Sequence, residues 1–249
     1  MIAKSPAPAI QVKALRKSFG AQTVLSEIDL EVAQGETLAV LGRSGTGKSV
    51  LLKLIVGLQQ PEAGSIRIQG QEITGLGLKP LNAIRRRIGF LFQSAALYDS
   101  MTVGENVAFP LRRHAALSET DLTAKVQSLL TSVGMAEAVD KLPAQISGGM
   151  QKRVGLARAL ALSPDILLFD EPTTGLDPIT SQEITELILK LQAEHHTASV
   201  IVTHDVPVAH AISDRLMLMR DGRIVIEGSF DDLLQSRDEF VRRFIQPIK

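Results

Sequence analysis

The chain has 249 residues, of which 45% are hydrophobic and 22% are charged, and this globular composition excludes a disordered chain. Its 27 basic and 27 acidic residues cancel, so no overall field attracts nucleic acid, and three arginines at 85–87 form either a basic patch or an ordinary solvated face. The absence of cysteine excludes disulfides, thiolate zinc sites and cysteine nucleophiles. Because no signal peptide or membrane-length apolar run is present, we expect a cytoplasmic chain that reaches membranes only through a partner.

The first part of the chain is predicted to be rich in β-strands. Alternating apolar residues in AIQVKAL and SEIDLEV indicate two half-buried strands, and TLAVLG indicates a buried strand that leads into a glycine-rich loop. A helix is expected to begin at Lys48. The segments SIRIQG and IGFLFQ predict further strands, the second ending at Gln93.

The middle of the chain, about 95–162, is predicted to be a helical insert. Thr102 with Glu105 is typical of a capping box, and Ser118 with Asp121 predicts the start of a longer helix. Apolar residues then recur with a helical period and predict one buried face, made of Leu122, Val126, Leu129, Leu130 and Val133.

Strands and helices alternate again from DILLFDEP to RIVIEG, which predicts parallel strands with helices on the faces of a sheet. Ser229 with Asp232 predicts a capped C-terminal helix or helix pair. Since no linker separates these parts, we expect a single domain over 1–249. Its α/β core with a β subdomain is expected at about 10–94 and 163–228, its helical subdomain at about 95–162, and its tail at about 229–249.

The segment GRSGTGKS has the G-x-x-x-x-G-K-[ST] pattern between a predicted strand and a predicted helix. Its glycines allow backbone N–H groups to surround phosphate oxygens, and the helix start adds partial positive charge. Lys48 then supplies charge to the β and γ phosphates, and Ser49 supplies a hydroxyl ligand to Mg²⁺. The alternative is a chance glycine loop, but the flanking elements favour a nucleoside triphosphate site.

Polar side chains follow three predicted strands of the core. Asp170 is predicted to hold Mg²⁺, and Glu171 to polarise the attacking water, although adjacent acids at a strand end are also common surface charges. His204 either has a structural role or donates to the γ phosphate. The Gln93 amide either caps a turn or joins the Mg²⁺ shell through its oxygen.

The segment ISGGMQKR, at 146–153, predicts another helix start with a serine and two glycines. Taken alone, it is either a simple serine N-cap or a second phosphate-binding element.

Together, GRSGTGKS, Gln93, ISGGMQ, ILLFDEP, TTGLDP and the histidine of VTHD resemble, in this order, the nucleotide-binding subunit of ABC transporters. The resemblance implies a P-loop NTPase (RecA-like) core with an N-terminal antiparallel β subdomain and an inserted α-helical subdomain. It also implies that ATP with Mg²⁺ binds between two head-to-tail subunits and is hydrolysed. Phe19 would stack on adenine, and Asp177 would couple the two sites across the dimer.

The resemblance implies four further sets of residues. The ATP-binding set is Phe19, Gly42, Arg43, Ser44, Gly45, Thr46, Gly47, Lys48, Ser49, Val50, Gln93 and His204. The signature set, which contacts the ATP of the other subunit, is Ser147, Gly148, Gly149 and Met150. The catalytic set is Glu171, His204, Lys48 and Gln93, and the metal set is Ser49, Gln93 and Asp170.

The sequence departs from the family pattern at three positions. Val50 replaces a common second hydroxyl, Ile146 replaces the usual leucine, and Met150 replaces the usual glutamine of the signature. None of these changes removes a phosphate donor. The surrounding segments are similar to the Mce-associated ATPases of phospholipid transport systems of the Mla type, although methionine-importer ATPases share SGGM.

This narrower resemblance implies an ATP-bound homodimer on the cytoplasmic face of the inner membrane, energising a dimer of integral-membrane permease subunits. It also implies an Mce-type substrate-binding subunit, with a small accessory protein as a further expected partner and no nucleic acid. An importer of methionine or another small substrate is the first alternative. A soluble ABC ATPase acting on DNA or ribosomes is disfavoured, because the chain has one nucleotide domain, no cysteines and no room for an inserted coiled coil.

The segment after Gln93 contains Leu97, Tyr98 and Met101, which either seat a permease helix or belong to the core of the helical insert. In the tail, Phe240, Phe244 and Ile245 dock on another subunit or accessory protein, or pack on their own domain.

Overall fold

The structure is a computed structural model that describes residues 7–246. The ends of the predicted domain, at 1–6 and 247–249, lie outside the described residues. The chain divides into two compact units. The first takes the residues up to Asn82 together with those from His196 onward, and the second is Ala83–His195.

The described residues form ten strands and nine α-helices. The strands are β1 (Ile10–Phe19), β2 (Gln22–Val32), β3 (Thr37–Gly42), β4 (Ala63–Ile68), β5 (Gln71–Glu72), β6 (Ile88–Leu91), β7 (Ile166–Asp170), β8 (Ala198–Thr203), β9 (Arg215–Arg220) and β10 (Arg223–Gly228). The helices are α1 (Lys48–Ile55), α2 (Leu78–Arg85), α3 (Val103–His114), α4 (Glu119–Ser132), α5 (Gly148–Leu160), α6 (Pro178–His195), α7 (Val206–Ile212), α8 (Phe230–Leu234) and α9 (Glu239–Ile245).

The first unit contains the predicted N-terminal antiparallel sheet, in the order β2-β1-β4-β5. Its central strand β1 pairs Ile10 with Val32 on one side and with Ile68 on the other. These apolar residues are fully or almost fully buried, because alternate side chains of a strand point to the same face. The predicted β subdomain is confirmed.

A second set of strands in this unit is mostly parallel. Strand β3 lies between β8 and β9 and is parallel to both, and β10 pairs antiparallel with β9. All six residues of β3 are buried, as expected for a central strand covered on both faces. Leu41 is level with Thr203 of β8, so both strands deliver their carboxyl ends to the same edge.

The C-terminal helices pack on this unit. The Ser229 and Asp232 pair forms the predicted capping box at the start of α8. In α9, Val241 and Ile245 are buried in a cluster with apolar residues of β9, including Leu218. The described part of the tail therefore packs on its own domain, which is one of the two alternatives that the sequence left open.

The second unit combines parallel strands with helices. Strands β6 and β7 are parallel, and helix α5 packs against β6 so closely that a Cβ on Gly89 would lie 2.5 Å from the Ala159 carbonyl oxygen. Thr102 and Glu105 form the predicted capping box of α3. The predicted apolar face of α4 is buried at every position, namely Leu122, Val126, Leu129, Leu130 and Val133.

One boundary differs from the prediction. Strand β6 ends at Leu91, two residues before Gln93 (93 − 91 = 2), so Gln93 lies in the following turn. There, the Ala95 N–H donates to the Phe92 carbonyl, and Ala95 and Ala96 both have left-handed backbone conformations. This turn takes the backbone out of the extended conformation before the apolar run ends at Phe92.

Candidate functional site

The loop between β3 and α1 has the shape of a phosphate-binding loop. Gly47 adopts φ 99°, and a Cβ there would lie 2.7 Å from the Leu25 Cδ2 atom, so only glycine fits this position. Gly42 is similarly restricted, because a Cβ would lie 2.8 Å from the Thr46 Oγ1 atom and 2.9 Å from the Met219 carbonyl oxygen. The chain therefore turns sharply from a buried strand into a helix start.

The Lys48 side chain holds this loop closed. Its ammonium is buried and donates to the Gly42 carbonyl at 2.8 Å and to the Arg43 carbonyl at 3.1 Å. The Thr46 hydroxyl also donates to the Arg43 carbonyl. The remaining predicted members of this loop are exposed or partly exposed, namely Ser44, Gly45, Ser49 and Val50. A buried cation beside a helix start is suited to an anionic phosphate group.

Phe19, the predicted adenine-stacking residue, is 47% exposed at the end of β1, with the Lys17 ammonium 5.1 Å from its ring centroid. Strand β1 is paired with β2, whose Leu25 is the residue that touches Gly47. An exposed aromatic face is thus carried by a sheet that contacts the phosphate-binding loop directly.

His204 follows β8 and is exposed. The parallel register places Thr203 level with Leu41, so the next residues, His204 and Gly42, share one edge of the sheet. Asp205 then caps helix α7 by accepting from the Val208 N–H. This arrangement brings the predicted histidine to the edge at which the phosphate-binding loop begins.

Asp170 is the last residue of strand β7 in the second unit, Glu171 follows it directly, and both are buried. Glu171 has a left-handed backbone with φ 48°, which is unusual for a residue other than glycine and is typical of functional sites. One of its carboxylate oxygens accepts from the Thr174 hydroxyl at 3.1 Å. The alternative that these acids are exposed surface charges is excluded for Asp170 and Glu171 by their burial.

Gln93 is exposed and lies beside the acidic pair. The register of β6 and β7 pairs Leu91 with Phe169, so Gln93 and Glu171 stand at the same level. The ammonium of Lys152 connects them, because it donates to the Gln93 carbonyl at 2.5 Å and to the Glu171 carbonyl at 3.1 Å. Burial lowers the pKa of Lys152 to about 8, although the neighbouring Asp170 and Glu171 carboxylates favour the charged form.

The predicted signature segment begins helix α5. Ser147 is its N-cap and accepts from the Met150 N–H at 3.3 Å. Ser147 and Gly148 are exposed, whereas Gly149 is buried. A Cβ on Gly149 would lie 2.4 Å from the Thr180 Cγ2 atom, so this glycine allows α5 to approach the start of α6.

Asp177 caps the start of α6. Its carboxylate accepts from the Thr180 hydroxyl at 2.6 Å and from the N–H groups of Ile179 and Thr180. These hydrogen bonds, first of all that from the Thr180 hydroxyl, lower the pKa of Asp177. The predicted signature and the predicted coupling loop therefore meet at Thr180 within one unit.

The segment after Gln93 is held by Asn106, which is fully buried in α3. The Asn106 amide donates to the carbonyls of Tyr98, Met101 and Thr102 and accepts from the Tyr98 N–H. The Tyr98 ring remains 45% exposed and packs against Phe109. The exposure of the Tyr98 ring disfavours the alternative that this side chain belongs to the core of the helical insert.

The predicted metal ligands are a hydroxyl, an amide oxygen and a carboxylate, which are the hard oxygen donors that Mg²⁺ prefers beside phosphate groups. Within residues 7–246, no group of three or more His, Cys, Asp or Glu side chains forms a ready-made metal site.

Two contacts beside the candidate site were missed in the sequence. Lys152 and Arg158 are cations on α5 that bind backbone carbonyls near Gln93, and the Arg158 guanidinium donates to Ala95 and Ala96. A signal for the first was available, because Lys152 lies three residues from both Gly149 and Gly155 on the buried face of the helix. Its acceptors are backbone atoms, which no sequence pattern specifies.

A loop closed around a buried lysine, between a central parallel strand and a helix, defines a P-loop nucleotide-binding protein. The family model described as "ABC transporter" matches residues 25–174. The chain belongs to this family, and it is an ATP-binding and ATP-hydrolysing cassette.

Curated relatives cover nearly the whole chain. The chain is 43% identical over 95% of its length to the probable ribonucleotide transport ATP-binding protein mkl of Mycobacterium leprae, and it spans 68% of that protein. It is 40% identical over 95% of its length to the intermembrane phospholipid transport system ATP-binding protein MlaF of Haemophilus influenzae, and it spans 90% of that protein. It is 41% identical over 91% of its length to the methionine import ATP-binding protein MetN of Caulobacter vibrioides, and it spans 68% of that protein.

Solved structures agree with the fold. The dimeric ATP-binding cassette MJ0796 in a post-hydrolysis state with ADP and Pi has 34% identity and a TM-score of 0.82, over 88% of this chain and 98% of that one. The cassette cbiO1 from Clostridium perfringens has 27% identity and a TM-score of 0.83, over 97% of this chain and 96% of that one. The predicted fold class and the predicted ATPase activity are confirmed.

Among the described residues, none of the helices is long and apolar enough to cross a bilayer.

Proposed function

We propose that the chain is the ATPase subunit of a phospholipid transport system that moves lipid between the inner and outer membranes. The observation that carries this proposal is the match to MlaF, which extends over 95% of this chain and 90% of the relative. The mkl and MetN relatives have similar identity, but the chain spans only about two thirds of their lengths. Of the three kinds of relative, the phospholipid ATPase is therefore the one that matches this chain over the largest share of both lengths.

ATP with Mg²⁺ binds as a sandwich between two copies of the chain in this proposal. Lys48 and Ser49 bind the phosphates and the ion, and Phe19 stacks on adenine. The signature of the other copy supplies Ser147 and the start of α5 to the same ATP. The exposure of Ser147 at a helix start supports this role, since a helix start can bind an anion that approaches from outside.

Hydrolysis uses a water molecule polarised by Glu171. Asp170 and Gln93 contribute oxygen ligands to Mg²⁺, and His204 donates to the γ phosphate. The burial and left-handed backbone of Glu171 support this assignment, because such strain persists where the surrounding structure holds a residue in a functional geometry. Asp177 couples the two ATP sites from its position beside the signature.

Glu171→Gln tests the catalytic assignment. We expect ATP binding and dimerisation to persist while turnover falls by roughly 100-fold or more, because an amide cannot accept the proton of the attacking water. Gel filtration with ATP should show a trapped dimer, and phosphate release should measure the loss. Turnover at the wild-type rate would contradict the role of Glu171.

The transport partners are a dimer of integral-membrane permease subunits, an Mce-type substrate-binding subunit and a small accessory protein, without nucleic acid. The chain lies at the cytoplasmic face of the inner membrane, where the permease holds it. The segment 94–101 contacts the permease, and the exposed Tyr98 ring, fixed through its backbone to Asn106, supports this role. Tyr98→Asp with Met101→Asp should abolish permease capture, whereas unchanged capture would argue against this contact.

The substrate is tested on the purified complex. The tagged chain is extracted from its native membrane with the trapping variant Glu171→Gln, and the bound lipid and the hydrophobic subunits are identified by mass spectrometry. The expected results are phospholipid in stoichiometric amount in the trapped complex, and ATPase activity of the wild-type complex that is stimulated by phospholipid in nanodiscs. Stimulation by methionine or a ribonucleotide, with no lipid dependence, would favour an importer of a small substrate.

A further inference from the structure

Helix α5 begins at the signature segment, and one turn later it carries a buried lysine. Lys152 is only 4% exposed, although a lysine is almost never fully buried without partners. Its ammonium donates to two backbone carbonyls, one from Gln93 and one from Glu171. Each acceptor belongs to a residue that the proposed mechanism places in the hydrolytic site.

The position of Lys152 follows from the close packing of α5. A Cβ on Gly155 would lie 2.7 Å from the Leu91 Cδ1 atom, so the helix lies directly against the end of β6. Gly149, Lys152 and Gly155 are spaced by three residues, and they share the buried face of the helix. The lysine side chain therefore emerges between the ends of β6 and β7.

The contact with Glu171 is made where the backbone is strained. Glu171 is 7% exposed with φ 48°, and a residue other than glycine keeps this unfavourable conformation only when its surroundings hold it. The bond from Lys152 to its carbonyl is a charge-assisted hydrogen bond, which is stronger than a neutral one. It therefore stabilises the backbone geometry that directs the Glu171 carboxylate.

We infer that Lys152 is a positioning residue for hydrolysis, which aligns Glu171 and Gln93 by binding their backbone carbonyls from the helix that begins with the signature. The inference rests on the proposed role of Glu171. Lys152 does not touch ATP in this scheme. It links the helix that receives the ATP of the other copy to the residues that hydrolyse ATP in its own copy.

The test compares Lys152→Met with the wild type and with Lys152→Arg. Methionine has a similar length and no donor, so kcat should fall by about 10- to 100-fold, the loss expected for a misaligned catalytic group. The KM for ATP should change by less than about twofold, because the phosphate-binding loop is untouched. Arginine offers donors to both carbonyls and should recover most of the lost kcat.

A double-mutant cycle with Glu171→Gln separates positioning from general stability. Because Lys152 aligns Glu171 as well as Gln93, Lys152→Met should slow single-turnover hydrolysis by a clearly smaller factor when Glu171 is already replaced than when it is present. Equal losses in both backgrounds would overturn the inference. A wild-type kcat for folded Lys152→Met would overturn it as well.

Two matched variants control the comparison. Arg158→Met removes a half-buried cation on the same helix that binds the carbonyls of Ala95 and Ala96 instead, and its effect should be the same in both Glu171 backgrounds. Lys190→Met makes the same chemical change at an exposed site on α6 and should leave kcat unchanged. If Lys152→Met does not fold, Lys152→Arg and Lys152→Gln compare a charged donor with a neutral amide donor. The advantage of Arg over Gln in kcat should then be larger when Glu171 is present than when it is replaced.

The outcomes also separate this inference from the proposed function. Wild-type turnover by Glu171→Gln would remove the catalytic assignment itself. Loss of turnover in Glu171→Gln, with no kcat effect of Lys152→Met, would leave that assignment intact and reject only the role of Lys152.

Discussion

The chain has two glycine-rich helix starts, and they use glycine for different physical reasons. In the phosphate-binding loop, Gly47 has a left-handed backbone that other residues rarely adopt, and the buried Lys48 closes the loop. At the signature, Ser147 is an ordinary extended N-cap, and Gly149 is required because Thr180 lies too close for a side chain. One loop is shaped to enclose a phosphate, whereas the other is a packed helix start with an exposed tip.

This difference explains why one chain carries both segments. The first loop holds its own cation, so it provides charge and shape together. The signature offers a serine and helix N–H groups at the surface, where the ATP of the other copy reaches them in the proposed sandwich. Such an arrangement suits a site that is completed by a second copy, and the known dimeric cassette MJ0796 has the same fold.

The largest expected effect comes from Lys48→Ala. Because Lys48 supplies the charge of the loop and also holds its shape, ATP turnover should fall by about 100- to 1,000-fold, as for the loss of one electrostatic donor in a preorganised site. Binding of a fluorescent ATP analogue to the monomer should weaken as well. Loss of turnover with unchanged monomer binding would assign Lys48 to the reaction alone and weaken the contrast between the two loops.

Gly149→Ala should give the next largest effect and the opposite profile. The added methyl group overpacks the contact with Thr180, which typically costs about 1–3 kcal/mol. We expect the ATP-dependent dimer of the Glu171→Gln variant to weaken by roughly tenfold, while monomers bind ATP normally. Sedimentation equilibrium measures the dimer, and a fluorescent analogue measures monomer binding.

The matched rescue is Thr180→Ser. Serine keeps the hydroxyl that donates to Asp177 and removes the methyl group that would clash. The double variant Gly149→Ala with Thr180→Ser should recover dimerisation. If the double variant remains as weak as the single one, close packing is not the reason for glycine at this position.

Much of this contrast was predictable from the sequence. Strand, loop and helix around GRSGTGKS follow from local patterns, and the capping pairs at Thr102, Ser118 and Ser229 are confirmed. Ser147 as an N-cap was predicted for the same reason, since N-caps depend on residues close in sequence.

What could not be predicted depends on contacts between distant segments. Lys152 binds carbonyls that lie 59 and 19 residues away, and backbone acceptors leave no trace in residue type. The clash that requires Gly149 depends on Thr180, and the strain at Glu171 depends on the turn after β7. These features arise from the packing of α5, which a pattern of apolar residues specifies only as a buried face.

The smallest expected effect is that of Ser147→Ala, and a second serine makes it informative. Both Ser147 and Ser118 accept one N–H bond at the start of a helix in the same unit, from Met150 at 3.3 Å and from Asp121 at 3.1 Å. Each alanine variant should lower the free energy of unfolding by about 1 kcal/mol. Only Ser147→Ala should also reduce ATP-dependent dimerisation and turnover. Both should fall by about five- to tenfold, which corresponds to roughly 1 kcal/mol. The reason is that only this hydroxyl faces the ATP of the other copy in the proposed sandwich. Equal losses of turnover in the two variants would mean that Ser147 is merely a cap, and the signature would then contribute to the fold rather than to the phosphate site.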